Sequence, residues 1–186
     1  MSSRVVGLAG QIGSGKSSVA RGLADALSCP VASFGDCVRG IARERGVDPV
    51  RENLQAIGQE LLEMLGPASF IDRVLEGSRW DRRGSLVVEG IRHRTVAETL
   101  PSRVQPIPFF LVYLEVPDPL RRSRAITRDA LSPGVLSQLE QHPTEREVRY
   151  AVRDLADVVI SADADVAGTV ASVTRAIASL DSQATQ

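Results

Sequence analysis

Apolar residues in this chain come in short dense runs, separated by longer stretches in which they recur every three or four positions. Arg4 to Ala9 (RVVGLA), Pro30 to Phe34 (PVASF), Ser85 to Val88 (SLVV), Phe109 to Val116 (FFLVYLEV) and Asp157 to Ser161 (DVVIS) are runs of the first kind. Such runs, bounded by turn formers, predict strands buried on both faces of a parallel sheet. Between them the spacing turns helical. Val19, Leu23, Ala26 and Leu27 put an apolar stripe on Ser17 to Leu27, and Cys29-Pro30 closes that helix. Asp36 to about Gly77 predicts helices only, broken near Gly46 to Pro49 and at Gly66-Pro67. Thr95 to Leu100, Leu120 to Arg128 and Asp165 to Leu180 are further helices. Thr144-Glu145-Arg146-Glu147 has the form of a capping box that starts a helix running to about Ala156. Asp129 to Pro143 lacks clear periodicity and holds Pro133-Gly134, which predicts a mobile loop or a lid. The polar tail Asp181 to Gln186 is expected to fray.

Alternating strands and helices imply a parallel sheet covered on both faces, an α/β three-layer sandwich. The 186 residues suit one domain rather than two. Charge then narrows the functions. A net charge of -1 argues against a general nucleic-acid binder. The longest apolar runs fall short of the roughly 20 residues that span a membrane, so no membrane partner is expected. A strand and a loop already occupy the first ten residues, which leaves no room for a leader and predicts a cytoplasmic protein. Cys29 and Cys37 match no zinc or C-x-x-C spacing and are expected to be reduced thiols.

All but one of the 22 basic residues are arginine. The lone lysine, Lys16, sits in Gly10-Gln11-Ile12-Gly13-Ser14-Gly15-Lys16-Ser17, which matches the pattern G-x-x-x-x-G-K-[S/T] throughout. Glycines let backbone N–H groups turn inward around an anion, and the following helix adds its positive N-terminus. A compact ammonium suits that loop better than a wide planar guanidinium. Gly10 to Ser17, with Ser18, thus form a candidate binding site for ATP. Lys16 would reach the outer phosphates and Ser17 would ligate Mg2+. Glu89 ends the third predicted strand, where ligands of open parallel sheets collect, and can hold a magnesium-bound water. Arg92, three residues on, can clamp a second phosphate. The plain alternative is a surface ion pair between a strand-end acid and a nearby arginine.

These features resemble the nucleoside-monophosphate kinase-like group of P-loop kinases, which includes adenylate kinases, dephospho-coenzyme A kinases and phage deoxynucleoside monophosphate kinases. Glu89-Gly90-Ile91-Arg92 is similar to the acid-glycine-x-x-arginine segment of adenylate kinases, with the arginine one place early. Arg51-Glu52-Asn53-Leu54-Gln55-Ala56-Ile57-Gly58-Gln59-Glu60 resembles the R-x-x-L-Q-x-x-G-x-E stretch of the phage enzymes. The resemblance implies a five-stranded parallel sheet in the order 2-3-1-4-5 and one P-loop kinase domain over 1–186. It also implies an acceptor-binding helical segment at about 36–77 and a lid at about 128–145. Arg121, Arg124 and Arg128 share a helical face. In the resembled group such arginines, here Arg124 and Arg128, close over the transferring phosphoryl group. The alternative is a solvated basic face paired with Glu145, Glu147 or Asp129.

Asp36 bears on the acceptor. Dephospho-coenzyme A kinases and deoxynucleoside kinases resemble each other in placing an acid here to accept a hydroxyl proton; equally, Asp36 can cap the following helix. Gln55, Gln59 and Glu60 can read a nucleobase edge or be solvated. The expected activity is transfer of the γ-phosphoryl group of ATP to a small nucleotide-like acceptor, foremost a (deoxy)nucleoside monophosphate. The alternatives are a kinase for a hydroxyl acceptor such as dephospho-coenzyme A or a nucleoside, and a regulatory nucleotide-binding ATPase. No nucleic-acid partner is expected, and a homodimer is an allowed arrangement.

Overall fold

Strand β1 (Val5–Ala9) is buried at every position and lies parallel to both of its neighbours, β3 (Leu86–Ile91) and β4 (Phe109–Glu115). The structure, a computed structural model, describes residues 3–129 and 131–184. β2 (Val31–Ser33) pairs with β3, and β5 (Val158–Ser161) with β4. The five strands therefore run in the expected order, β2-β3-β1-β4-β5. With hydrogen-bonded strands on either side and helices on both faces, β1 meets no water, so its sequence is apolar without alternation.

Side chains still leave the sheet alternately. Val5, Ala9, Leu86, Val88, Leu111 and Tyr113 pack on one face against α2 (Phe34–Glu44), α3 (Arg51–Gly77) and α4 (Arg94–Val104). Val6, Leu8, Val87, Phe110, Val112 and Leu114 pack on the other against α1 (Lys16–Leu27) and α8 (Val166–Ala184). α3 breaks where glycine and proline predict it, with Gly66 at φ 71° and ψ 165°. α4 continues through Pro101 because Leu100 and Val104 are both buried on its inner face.

β3 outruns its expected end. Leu8 stands opposite Glu89 and Ala9 opposite Ile91, so Gly90 is an extra residue, held at φ 85°. Such a bulge bends a strand at its carboxyl end and re-aims the side chains beside it.

Two expectations need correction. Asp129 to Pro143 is largely helical, not an irregular loop: α5 (Asp118–Asp129) is followed by α6 (Pro133–Gln141). Ser132 caps α6 by accepting from the Val135 N–H, and Pro133 stands in its first turn, where a missing N–H costs nothing. Leu136 and Leu139, three residues apart, bury against Ile12 and Ala125. Nor does the capping box form. α7 (Pro143–Glu147) begins two residues earlier, with His142 as its cap, so Thr144 falls inside the helix and Glu147 turns to other partners. A π-helical turn, Val148–Val152, follows and buries Val148 and Val152.

Among the described residues no helix is long and apolar enough to cross a membrane.

Because Leu136 is fully buried where α6 meets the glycine-rich loop, Leu136→Ala should cost about 2–4 kcal/mol. Urea unfolding checks this; a loss below about 1 kcal/mol would mean that α6 packs loosely.

Candidate active site

The loop between β1 and α1 is shaped by three glycines with positive φ: Gly10 at 148°, Gly13 at 82° and Gly15 at 82°. A methyl group on Gly13 would stand 2.2 Å from the Arg121 carbonyl oxygen, so α5 rests directly on the loop backbone. At Gly15 the same methyl would meet nothing within 4 Å, yet the backbone there still favours glycine. Lys16 Nζ folds back on this loop, donating to the carbonyls of Gly10 at 2.5 Å and Gln11 at 2.9 Å and to Ser14 Oγ at 3.3 Å.

Glu89 lies where the bulge of β3 aims it. Its two carboxylate oxygens accept from Ser17 Oγ at 3.0 Å and from Ser33 Oγ at 2.7 Å. Ser33 also caps α2 by accepting from the Asp36 N–H, so one hydroxyl ties the start of α2 to the end of β3. The Ser17 hydroxyl and Glu89 carboxylate are hard oxygen donors and fit a magnesium ion that takes its other ligands from water and phosphate. Among the described residues no three His, Cys, Asp or Glu gather to hold a metal by themselves.

Arg92 donates to Glu145, whose other oxygen accepts the Ile12 N–H at 3.1 Å. Glu145 is 1% exposed. Burial works to raise its pKa, but Arg92, Lys16 and the Ile12 N–H together hold it below the usual carboxylate range. Its neighbour Glu147 crosses to the start of α4, accepting from the Arg94 N–H at 2.6 Å and lying 3.1 Å from His93 Nδ1. The short helix α7 thus joins the glycine-rich loop to the segment after β3.

The α5 arginines separate. Arg121 is buried; it donates to the Ile12 carbonyl at 3.0 Å, to Asp118, and to Glu140 at 2.6 Å. Arg124 donates to the carbonyls of Ala162, Asp163 and Ala164 between β5 and α8, and it does not line the cavity beside Lys16. Arg128 does line it. Asp36 is mostly exposed, pairs with Arg39 at 2.6 Å, and lies outside that cavity; the cap of α2 is Ser33.

That cavity, about 670 Å³, runs from Gly13, Lys16 and Ser17 past Glu89 to the facing walls of α2 and α3. Arg39, Arg51, Arg92 and Arg128 line it, alongside apolar Phe34, Val38, Leu54, Phe70 and Val96. Arg51 was not singled out in the sequence, and Glu145 stood there only inside the expected capping box and as one of the acids that could pair with the α5 arginines. Only the R-x-x-L-Q stretch signalled Arg51. A buried acid pinned to a loop 133 residues away leaves no mark on local pattern.

A phosphate loop after β1, a serine–carboxylate pair and a sheet in the order 2-3-1-4-5 define a P-loop kinase-like domain. The chain belongs to the AAA-domain family, which it matches over residues 9–137, and to the UPF0200 proteins. It is 33% identical over 150 residues to the UPF0200 protein of Methanothrix thermoacetophila, covering 80% of this chain and 81% of that one. It is 28% identical over 149 residues to the cytidylate kinase of Pyrobaculum calidifontis, covering 78% and 72%. A gluconokinase from Sinorhizobium meliloti shares the fold, with a TM-score of 0.61 at 20% identity over 96% of this chain and 93% of that one.

Burial and the nearby Arg92 guanidinium push the Lys16 pKa from 10.5 down to about 7, against the pull of Glu145 and Glu89. Between those values the unfolded chain holds a proton that the native protein lacks. This lysine therefore weakens the fold at low pH, and the penalty fades as pH climbs from about 7 to 10.5. A bound polyphosphate should restore the proton. Calorimetry at about pH 8.5 in buffers of different ionisation enthalpy should show uptake approaching one proton per ATP, absent in Lys16→Met. Wild-type heats that do not depend on buffer would contradict this.

Proposed function

We propose that this protein transfers the γ-phosphoryl group of ATP to a (deoxy)nucleoside monophosphate. The observation that carries the reading is one cavity whose lining holds a lysine and several arginines. Lys16, Ser17 and Glu89 stand at the glycine-rich loop, and Arg39, Arg51, Arg92 and Arg128 line the remaining wall. An acceptor phosphate oxygen attacks the γ-phosphorus, the bond to the β–γ bridging oxygen breaks, and ADP leaves. Catalysis of such a transfer consists mainly of positioning and charge neutralisation. Lys16 neutralises the donor phosphates. Ser17 and Glu89 would hold a magnesium ion, which supplies charge stabilisation on the donor when bound. Arg92 grips the acceptor, with its guanidinium oriented by Glu145. Arg128 closes from the end of α5, which Arg121 and Arg124 fasten to the loop and to the β5–α8 segment. Kinship with a cytidylate kinase supports a phosphorylated acceptor.

A hydroxyl acceptor would need a base. Asp36, the residue proposed for that task, is exposed and faces Arg39. A monophosphate oxygen is already anionic and needs arginines instead.

Nucleotides and phosphate-free analogues should be screened for acceptor-dependent ADP formation. Lys16→Ala should lower turnover roughly a hundredfold or more with the fold intact by circular dichroism. Asp36→Asn should stay within about twofold of wild type. Loss of activity in Asp36→Asn would favour a hydroxyl acceptor, and ADP formation that no acceptor stimulates would favour a regulatory ATPase.

A further inference from the structure

Gln55 is 9% exposed on the first half of α3, and neither its Nε2 nor its Oε1 has a hydrogen-bond partner. Among the described residues no other buried side chain is in this state. An amide removed from water with both its donor and its acceptor unmet destabilises a fold, so a buried pair of this kind calls for an explanation. Other polar residues of the same stretch need none. Gln59 donates to Glu63 at 2.7 Å, and Glu60 pairs with Arg45 at 2.7 Å.

The surroundings say what would satisfy Gln55. Arg51, Leu54, Gln55 and Gly58 recur at helical spacing, and all four line the cavity. Phe34 and Phe70 line it too, edge to face with centroids 5.2 Å apart. An apolar wall beside a lone donor–acceptor pair suits a flat ring with a polar edge. Sugar acids and polyols carry hydroxyls around a puckered or open frame and would leave such walls against polar groups.

We infer that Gln55 reads the base of the acceptor nucleotide: its Oε1 accepts from a base N–H while its Nε2 donates to the adjacent ring nitrogen or carbonyl. This deepens the proposed function and rests on it for the acceptor's phosphate, which Arg92 and Arg51, one turn before Gln55 on α3, would hold in the same cavity. The base edge lies against α3, and the phosphate points toward Lys16.

Binding, not turnover, tests the assignment. The full chain without ATP is titrated calorimetrically with CMP, UMP, AMP, GMP and dTMP, and with ribose 5-phosphate, which keeps phosphate and sugar but lacks a base. At least one nucleotide should bind about tenfold or more tighter than ribose 5-phosphate. Gln55→Leu should erase that difference, leave ribose 5-phosphate binding unchanged, and melt no lower than wild type because the unpaired amide is gone. Gln55→Met serves as a second variant of similar length should leucine disturb the helix. In turnover, the acceptor KM should rise more than kcat falls. Equal wild-type binding of all nucleotides and ribose 5-phosphate would overturn the inference, as would discrimination that survives in a folded Gln55→Leu. Base discrimination without phosphoryl transfer would sink the kinase reading and leave Gln55 in place. Transfer to a nucleotide with Gln55→Leu unaffected would do the reverse.

Discussion

The buried carboxylate of Glu145 holds the site together. Lys16 is buried and close enough to Arg92 for the guanidinium charge to disfavour its own. The charge of Glu145 favours both cations. One oxygen takes Arg92 and the other takes the N–H of Ile12 within the glycine-rich loop. Removing one partner from such a buried pair leaves an uncompensated charge, which is why the arrangement is strict. Arg121 holds the same loop residue from its other side, through the Ile12 carbonyl. Both polar groups of one peptide position are thus anchored by side chains from α5 and α7.

This anchoring makes the elements after β4 part of the phosphate site. α5 touches the loop backbone at Gly13 so closely that no side chain fits between them. α6 buries Leu136 and Leu139 over Ile12, and Glu147 of α7 reaches the start of α4. On the opposite side the bulge at Gly90 carries Glu89 to Ser17 and Ser33, linking the loop to the first turn of α2. The two carboxylates divide the work: Glu89 gathers hydroxyls and Glu145 gathers cations.

Local pattern made much of this legible. Dense apolar runs identified the strands, since a central parallel strand has no wet face to mark with polar residues. The break in α3 was written in Gly66-Pro67, and the phosphate loop in its glycines and one lysine. The segment from Asp129 to Pro143 was misjudged because α6 is short and its few apolar positions point at the glycine-rich loop rather than at the sheet. Thr144 and Glu147 mimic a capping box, but Pro143 starts the helix earlier and both acids of α7 find partners far away in the chain. The arginines of α5 are alike in sequence and differ only in what lies opposite each one.

The sequence by itself determined the sheet, the layers and the phosphate loop, because these depend on burial and on backbone conformations that particular residue types impose. Tertiary structure alone decided which arginine braces and which faces the cavity. It alone set Glu145 between Arg92 and the Ile12 N–H, and left the Gln55 amide without a partner. Long-range electrostatics and hydrogen-bond satisfaction depend on distances between elements, and no local spacing encodes those.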